Sequence, residues 1–154
     1  MSQKTTPPSA SIGIIGLIEP DATAVGAHST GWISMSDFQA ISAVVMAGAL
    51  GASATVDAKI EQAKSDAGAD AKDLTGAVIT QLTKDNGDDN KQAVIEVWGE
   101  DLDIKNMYSH VRLTVTVGGA NSDLGAIVLG THPRQGPASD LNLASVAQIV
   151  NLNT

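Results

Sequence analysis

Cysteine is absent from the 154-residue chain, which excludes a disulfide framework and a thiolate metal site. The fold must hold by packing alone. Aromatic residues are scarce too: Trp32, Phe38, Trp98 and Tyr108 make up 3% of the chain, against a hydrophobic fraction of 43%. The core must therefore be filled by Ala, Val, Ile and Leu. A buried Val, Leu or Ile contributes about 1.5–3 kcal/mol and a methyl side chain well under that, so an alanine-rich core stabilises little. Partner subunits would supply more, because whatever binds only the folded state stabilises it.

Positive charge is also in short supply. Nine Lys plus Arg stand against seventeen Asp plus Glu, a formal net charge of -8, and Arg112 and Arg134 are the only arginines. Backbone phosphates are bound by clustered Lys and Arg, and here the basic residues are scattered singly, so no direct nucleic-acid partner is expected. No membrane partner is expected either, since the longest apolar run, residues 40–52, falls short of the roughly 20 residues needed to span a bilayer. Lys4 ahead of the apolar residues 10–18, with small residues at 24–27, faintly suggests a secretory leader. One lone charge, Pro7-Pro8 and the interposed Glu19-Pro20-Asp21 argue against it, so a cytoplasmically made, soluble protein is expected.

The chemistry of catalysis is missing as well. His28, His110 and His132 have no partner at metal-ligand spacing, and no Gly-x-Ser-x-Gly occurs. Gly13 and Gly16 lack the third glycine and the Lys-Ser/Thr of a phosphate loop. The acidic clusters Asp85/Asp88/Asp89 and Glu100/Asp101/Asp103 do not keep the spacing of a calcium loop. A sugar platform wants several exposed aromatics, and most of the four here are expected in the core. The expectation is no enzyme, no cofactor and no obligatory metal.

What is present is a rhythm of short apolar stretches between turn residues, the pattern of an all-β sandwich or jelly-roll-like single domain. Strands are expected at 30–35, 40–47, 54–62, 74–82, 92–98, 108–117 and 123–129. The clearest is the sixth, where Val111, Leu113, Val115 and Val117 alternate with His110, Arg112, Thr114 and Thr116. Gly118 to Ser122 form a turn that suggests a hairpin with the seventh. Residues 54–62 fit both an alternating strand and, with Val56, Ile60, Ala63 and Ala67, a helix.

Around this body the chain divides into an N-terminal arm and apolar strip (1–18), the sandwich (19–130), and a Pro-rich linker with an apolar tail (131–154). The tail residues 143–152 fit a short helix capped by Ser139 or Asp140, or a strand. Both ends are read as outreaching contact segments: Ile12, Ile14, Ile15, Leu17 and Ile18 in the strip, and Pro133, Arg134, Leu143, Val146, Ile149 and Val150 in the tail. Removing residues 1–18 is expected to leave a folded sandwich.

The segments Thr30-Gly31-Trp32-Ile33-Ser34-Met35, 54–60, 75–82, 108–119 and the 130–150 tail with Pro133-Arg134 together resemble the small virion proteins of tailed bacteriophages, in particular head decoration or cement subunits. The chain departs from that pattern in a longer, alanine-rich loop after Ile60 and in the acidic Glu100-Asp101-Leu102-Asp103. The resemblance implies strand at 54–62, an all-β fold, no catalysis, and a place on the capsid exterior. Its partners there would be the major capsid protein and copies of itself. Another virion part, such as a tail terminator, tail tube or head-tail joining subunit, is the second expectation, and a secreted bacterial binding module the third.

Overall fold

The structure, a computed structural model, describes residues 6–152. The first five residues of the expected arm, Lys4 of the considered leader among them, lie outside the described residues. Ten strands follow one another: β1 (Ile12–Thr23), β2 (Gly26–Ser29), β3 (Ile33–Ser34), β4 (Phe38–Ala47), β5 (Thr55–Ala63), β6 (Lys72–Val78), β7 (Leu82–Thr83), β8 (Gln92–Trp98), β9 (His110–Gly118) and β10 (Ser122–Pro133). One sheet, sheet 1, has the order β1-β10-β4-β8, and the other, sheet 2, has the order β2-β9-β5-β6. Because β3 shares β9 with β2, and β7 shares β5 with β6, the ten strands fill eight columns, four per sheet. The first column pairs the last, the second the seventh, the third the sixth and the fourth the fifth, all antiparallel. That nesting of an antiparallel ribbon rolled over two sheets is jelly-roll connectivity.

The core lies between the sheets. β9 contributes Val111, Leu113, Val115 and Val117, each at most 1% exposed, as the period-two pattern predicts. β5 adds Val56, Ala58 and Ile60; Ile41, Ala43, Val45, Ile95, Val97, Leu124, Ala126 and Val128 meet them from sheet 1. Residues 54–62 form strand, and the helical spacing beyond them ends in turns, because pairing with β9 on one side and β6 on the other outweighs alanine's local preference. Two aromatics depart from the expected core placement: Phe38 and Tyr108 are buried, while Trp32 is half-buried and Trp98 is 46% exposed.

Three expectations change. The turn at Gly118–Ser122 does not close a hairpin; β9 belongs to sheet 2 and β10 to sheet 1, so the turn carries the chain across the sandwich. β10 lies instead between β1 and β4, and its run from Leu124 to Leu129, apolar at both parities, puts one set of side chains in the core and the other on the outer face of sheet 1. Second, the strip at 12–18 is no outlying arm, for it is the first half of β1 and pairs with β10 from Ile12↔Thr131 onward. The division drawn at residue 18 therefore falls inside a strand, and the one at 130 falls inside β10. Third, residues 143–152 adopt neither helix nor strand. A 3-10 turn at Ala138–Leu141 takes up Ser139 and Asp140, and the tail is then hooked to β1: Leu143 N–H donates to Ile14 O at 2.9 Å and Ile14 N–H to Asn142 Oδ1 at 2.7 Å.

Glycine in β1 and β10 is a packing requirement. A Cβ on Gly16 would sit 2.9 Å from Val128 Cβ, and one on Gly130 would sit 2.6 Å from the Phe38 ring. Gly13, the β1 partner of Gly130, meets the same ring and Ala138 O.

Candidate interaction surface

The outer faces of the two sheets differ in chemistry. In β4, Ile41, Ala43 and Val45 point into the core, so Ser42, Val44 and Met46 point outward. The register then places Val44 beside Val94 of β8 on one side and Ile127 of β10 on the other, with Leu17 of β1 beyond it. One row of aliphatic side chains thus crosses all four strands. The next row holds Ile14, Leu129, Ser42 and Glu96, and the row on the other side holds Gly125, Met46 and Gln92. Met46 is 53% and Val94 54% exposed, and the Trp98 ring lies 5.1 Å from that of His132. Sheet 1 carries no Lys or Arg; its charged residues are Glu19, Asp21, Glu96 and Asp123.

Sheet 2 presents paired charges instead. Glu61 Oε2 accepts from Arg112 Nε at 2.6 Å and from Thr114 Oγ1 at 2.7 Å, and Lys59 reaches Asp73 at 2.6 Å and Glu61 at 3.6 Å. The Arg112 guanidinium also stacks 4.6 Å from the Trp32 ring. Burial pushes the Glu61 carboxyl up, but the Arg112 and Thr114 hydrogen bonds and the neighbouring cations outweigh it and leave the pKa below its usual value. Lys59 is held above its usual range, chiefly by its hydrogen bond to Asp73. Such a face is satisfied in water.

The residues singled out from the sequence are spread over both layers. Ile15 packs against the core and Ile18 is buried in it, whereas Ile14 and Leu17 lie on the outer face of sheet 1 and Ile12 is exposed at the strand's start. Pro133 pairs with Phe38 at the end of β10, and Arg134 is exposed with its N–H donating to Asp37 O. In the tail, Leu143 and Val146 are half-buried, while Ile149, Val150 and Leu152 are 50%, 77% and 83% exposed. Ile14 and Leu143 are the pair that the structure brings together. Val44, Met46, Val94, Trp98 and Ile127 were not anticipated. The signal for them was in β4, whose run from Ala40 to Ala47 is apolar at both parities, the mark of a strand with two covered faces.

Most carboxylates of the acidic clusters are tied up in local contacts. Asp88 accepts from Thr83 N–H and Lys91, and Asp89 from Leu50 N–H and Lys84. Those contacts hold both carboxyls below their usual pKa, and Lys72 does the same for Asp103. Among the described residues no three His, Asp or Glu converge as a metal site. None of the helices described is long and apolar enough to cross a membrane.

No family model matches the chain, and no curated protein matches it. Solved structures do. A chain of the Cowpea Mosaic Virus empty virus-like particle is similar at 9% identity over 88% of this chain and 87% of that one, with a TM-score of 0.42. A chain of the Triatoma Virus structure is similar at 7% identity, covering 90% and 73%, with a TM-score of 0.42. TmCBM61, solved in complex with beta-1,4-galactotriose, is similar at 13% identity, covering 71% and 68%, with a TM-score of 0.32.

Proposed function

We propose that the chain is a structural subunit of a virus particle, a head decoration (cement) protein that binds and stabilises the major capsid protein shell of a tailed phage from outside. The observation that carries the packing role is the contrast between faces: sheet 1 carries a continuous aliphatic row outside as well as inside, while sheet 2 carries ion pairs across its outer side. A monomer gains nothing from Val44, Met46, Val94 and Trp98 in water. A subunit covered on that side by protein does. The sequence resemblance to decoration subunits supplies the place in the particle, and jelly-roll connectivity agrees with it, since that architecture is shared by viral capsid, lectin and cupin domains.

Two kinds of contact follow. Ile12, exposed at the start of β1, meets the shell, and the tail, with Ile149 and Val150 exposed, packs between subunits. The net charge of -8 keeps free subunits apart until specific contacts capture them. Purified protein added to undecorated phage shells should bind from outside at saturable stoichiometry and raise their resistance to heat. Tubes formed by the protein alone, or its presence only in isolated tails, would give the role to a tail component instead.

A further inference from the structure

The tail and the apolar face occur on one chain, and neither is covered by the other. Hooked to β1 at Ile14, the tail starts at the border of the face, yet Ile149, Val150 and Leu152 remain exposed. We propose that the face is covered in trans by the tail of a second copy, so that two chains exchange C-terminal segments reciprocally. This rests on the reading of the chain as a subunit that packs against copies of itself.

Charge selects the occupant. Two bodies of net charge -8 repel, and the charged residues in sheet 1 are all acidic, so an acidic segment is turned away. From Leu141 to Thr154 the tail has no charged residue at all. Sheet 2, with its paired Lys59, Asp73, Glu61 and Arg112, offers such a segment only the isolated exposed Val78 and no continuous apolar row. Reach is sufficient. A turn closes from Val146 N–H to Leu143 O, and the six residues after it, at roughly 3.3 Å each when extended, span about 20 Å, whereas four strands roughly 4.8 Å apart put the outer two only about 14 Å apart. A tail leaving β1 of one copy can therefore cross the whole row of Leu17, Ile127, Val44 and Val94 on a neighbour set beside it. Exchange of identical segments about a two-fold axis closes the assembly as a dimer.

The test uses complementary defects. A chain ending at Val146 keeps the Asn142 and Leu143 hooks and its face but lacks the docking segment. A full-length chain with Met46→Lys and Val94→Lys, both exposed positions, keeps its tail but blocks its face. Light scattering over a dilution series should show the unaltered chain in a monomer-dimer equilibrium and each variant monomeric, with a sharp melting transition confirming that each is folded. Mixed, the two variants should form a one-to-one complex. It should be weaker than the unaltered dimer by about a hundredfold or more, because the second contact is no longer intramolecular. The proposal is overturned if the unaltered chain stays monomeric, if the shortened chain dimerises as well as the full one, or if the mixture stays monomeric. Dimers that ignore undecorated shells would sink the decoration role and leave the exchange standing. Monomers that bind shells would do the reverse.

Discussion

At single positions the fold is decided by what a side chain would displace. The Phe38 ring lies over Gly130, so Gly130→Ala forces a methyl group into ring carbons 2.6–2.7 Å away. It should cost about 1–3 kcal/mol, as overpacked cores do. Gly31, where an added methyl group would meet nothing within 4 Å, is the contrast: Gly31→Ala should be neutral or stabilise by up to about 1 kcal/mol. Denaturant unfolding of the two variants checks both, and equal midpoints would show that Phe38 moves aside freely. Neither glycine role was legible in the sequence, since Gly13 and Gly16 there invite only a test for phosphate binding. The partner ring is distant in the chain and comes near only through pairing.

Glu61 sets an acid limit at the same scale. Its folded pKa lies below the ordinary 4.5, so its stabilisation is present above that value and is lost as pH falls through the lower, folded one. Glu61→Gln keeps an acceptor for Arg112 but loses the charge. It should lower stability at pH 7 by about 1.5–3 kcal/mol, the scale of a hydrogen bond to a charged group, and flatten the fall of Tm below pH 4.5. Asp70, Asp88, Asp89 and Asp103 are depressed as well, so part of the slope should survive. A variant curve parallel to that of the unaltered protein would show that the Arg112 pair contributes nothing.

Among elements, those apolar on one face were readable and those apolar on both were not. β9 alternates cleanly and its inward residues follow from period two. β4 and β10 carry apolar residues at both parities, which gives their existence but not their neighbours; hence the hairpin expected at Gly118–Ser122 is a crossing between sheets. The strip at 12–18, expected to reach outward because it follows a polar segment, is strand within the sandwich, and its glycines let β1 lie against Val128 and Phe38. Removing residues 1–18 would therefore take away half of β1 and the buried Ile18, and should unfold the domain, contrary to the sequence-based expectation. Removing residues 1–10 should leave Tm within a few degrees, and calorimetry distinguishes the two. The loop at 84–90 makes a separate prediction. Because Asp88 and Asp89 cap Thr83 and Leu50 and pair with Lys91 and Lys84, chelator should leave Tm unchanged, whereas a drop restored by calcium would assign those carboxylates to a metal.

For the whole molecule, composition told more about exclusion than about place. The absence of cysteine sets aside thiolate chemistry, and the scattered basic residues leave no cluster of the kind that binds nucleic-acid backbones. Composition could not say which side of the sandwich meets a partner, because that depends on register, which aligns Leu17, Ile127, Val44 and Val94 from four distant stretches. The central claim is that this side is covered by protein in the assembled particle. Oxidative footprinting addresses it directly through two methionines, Met46 on the face at 53% exposure and Met107 away from it at 78%. In dilute free subunit both should oxidise, and in the particle Met46 should be protected while Met107 still reacts. Equal oxidation of Met46 in both states would contradict the account.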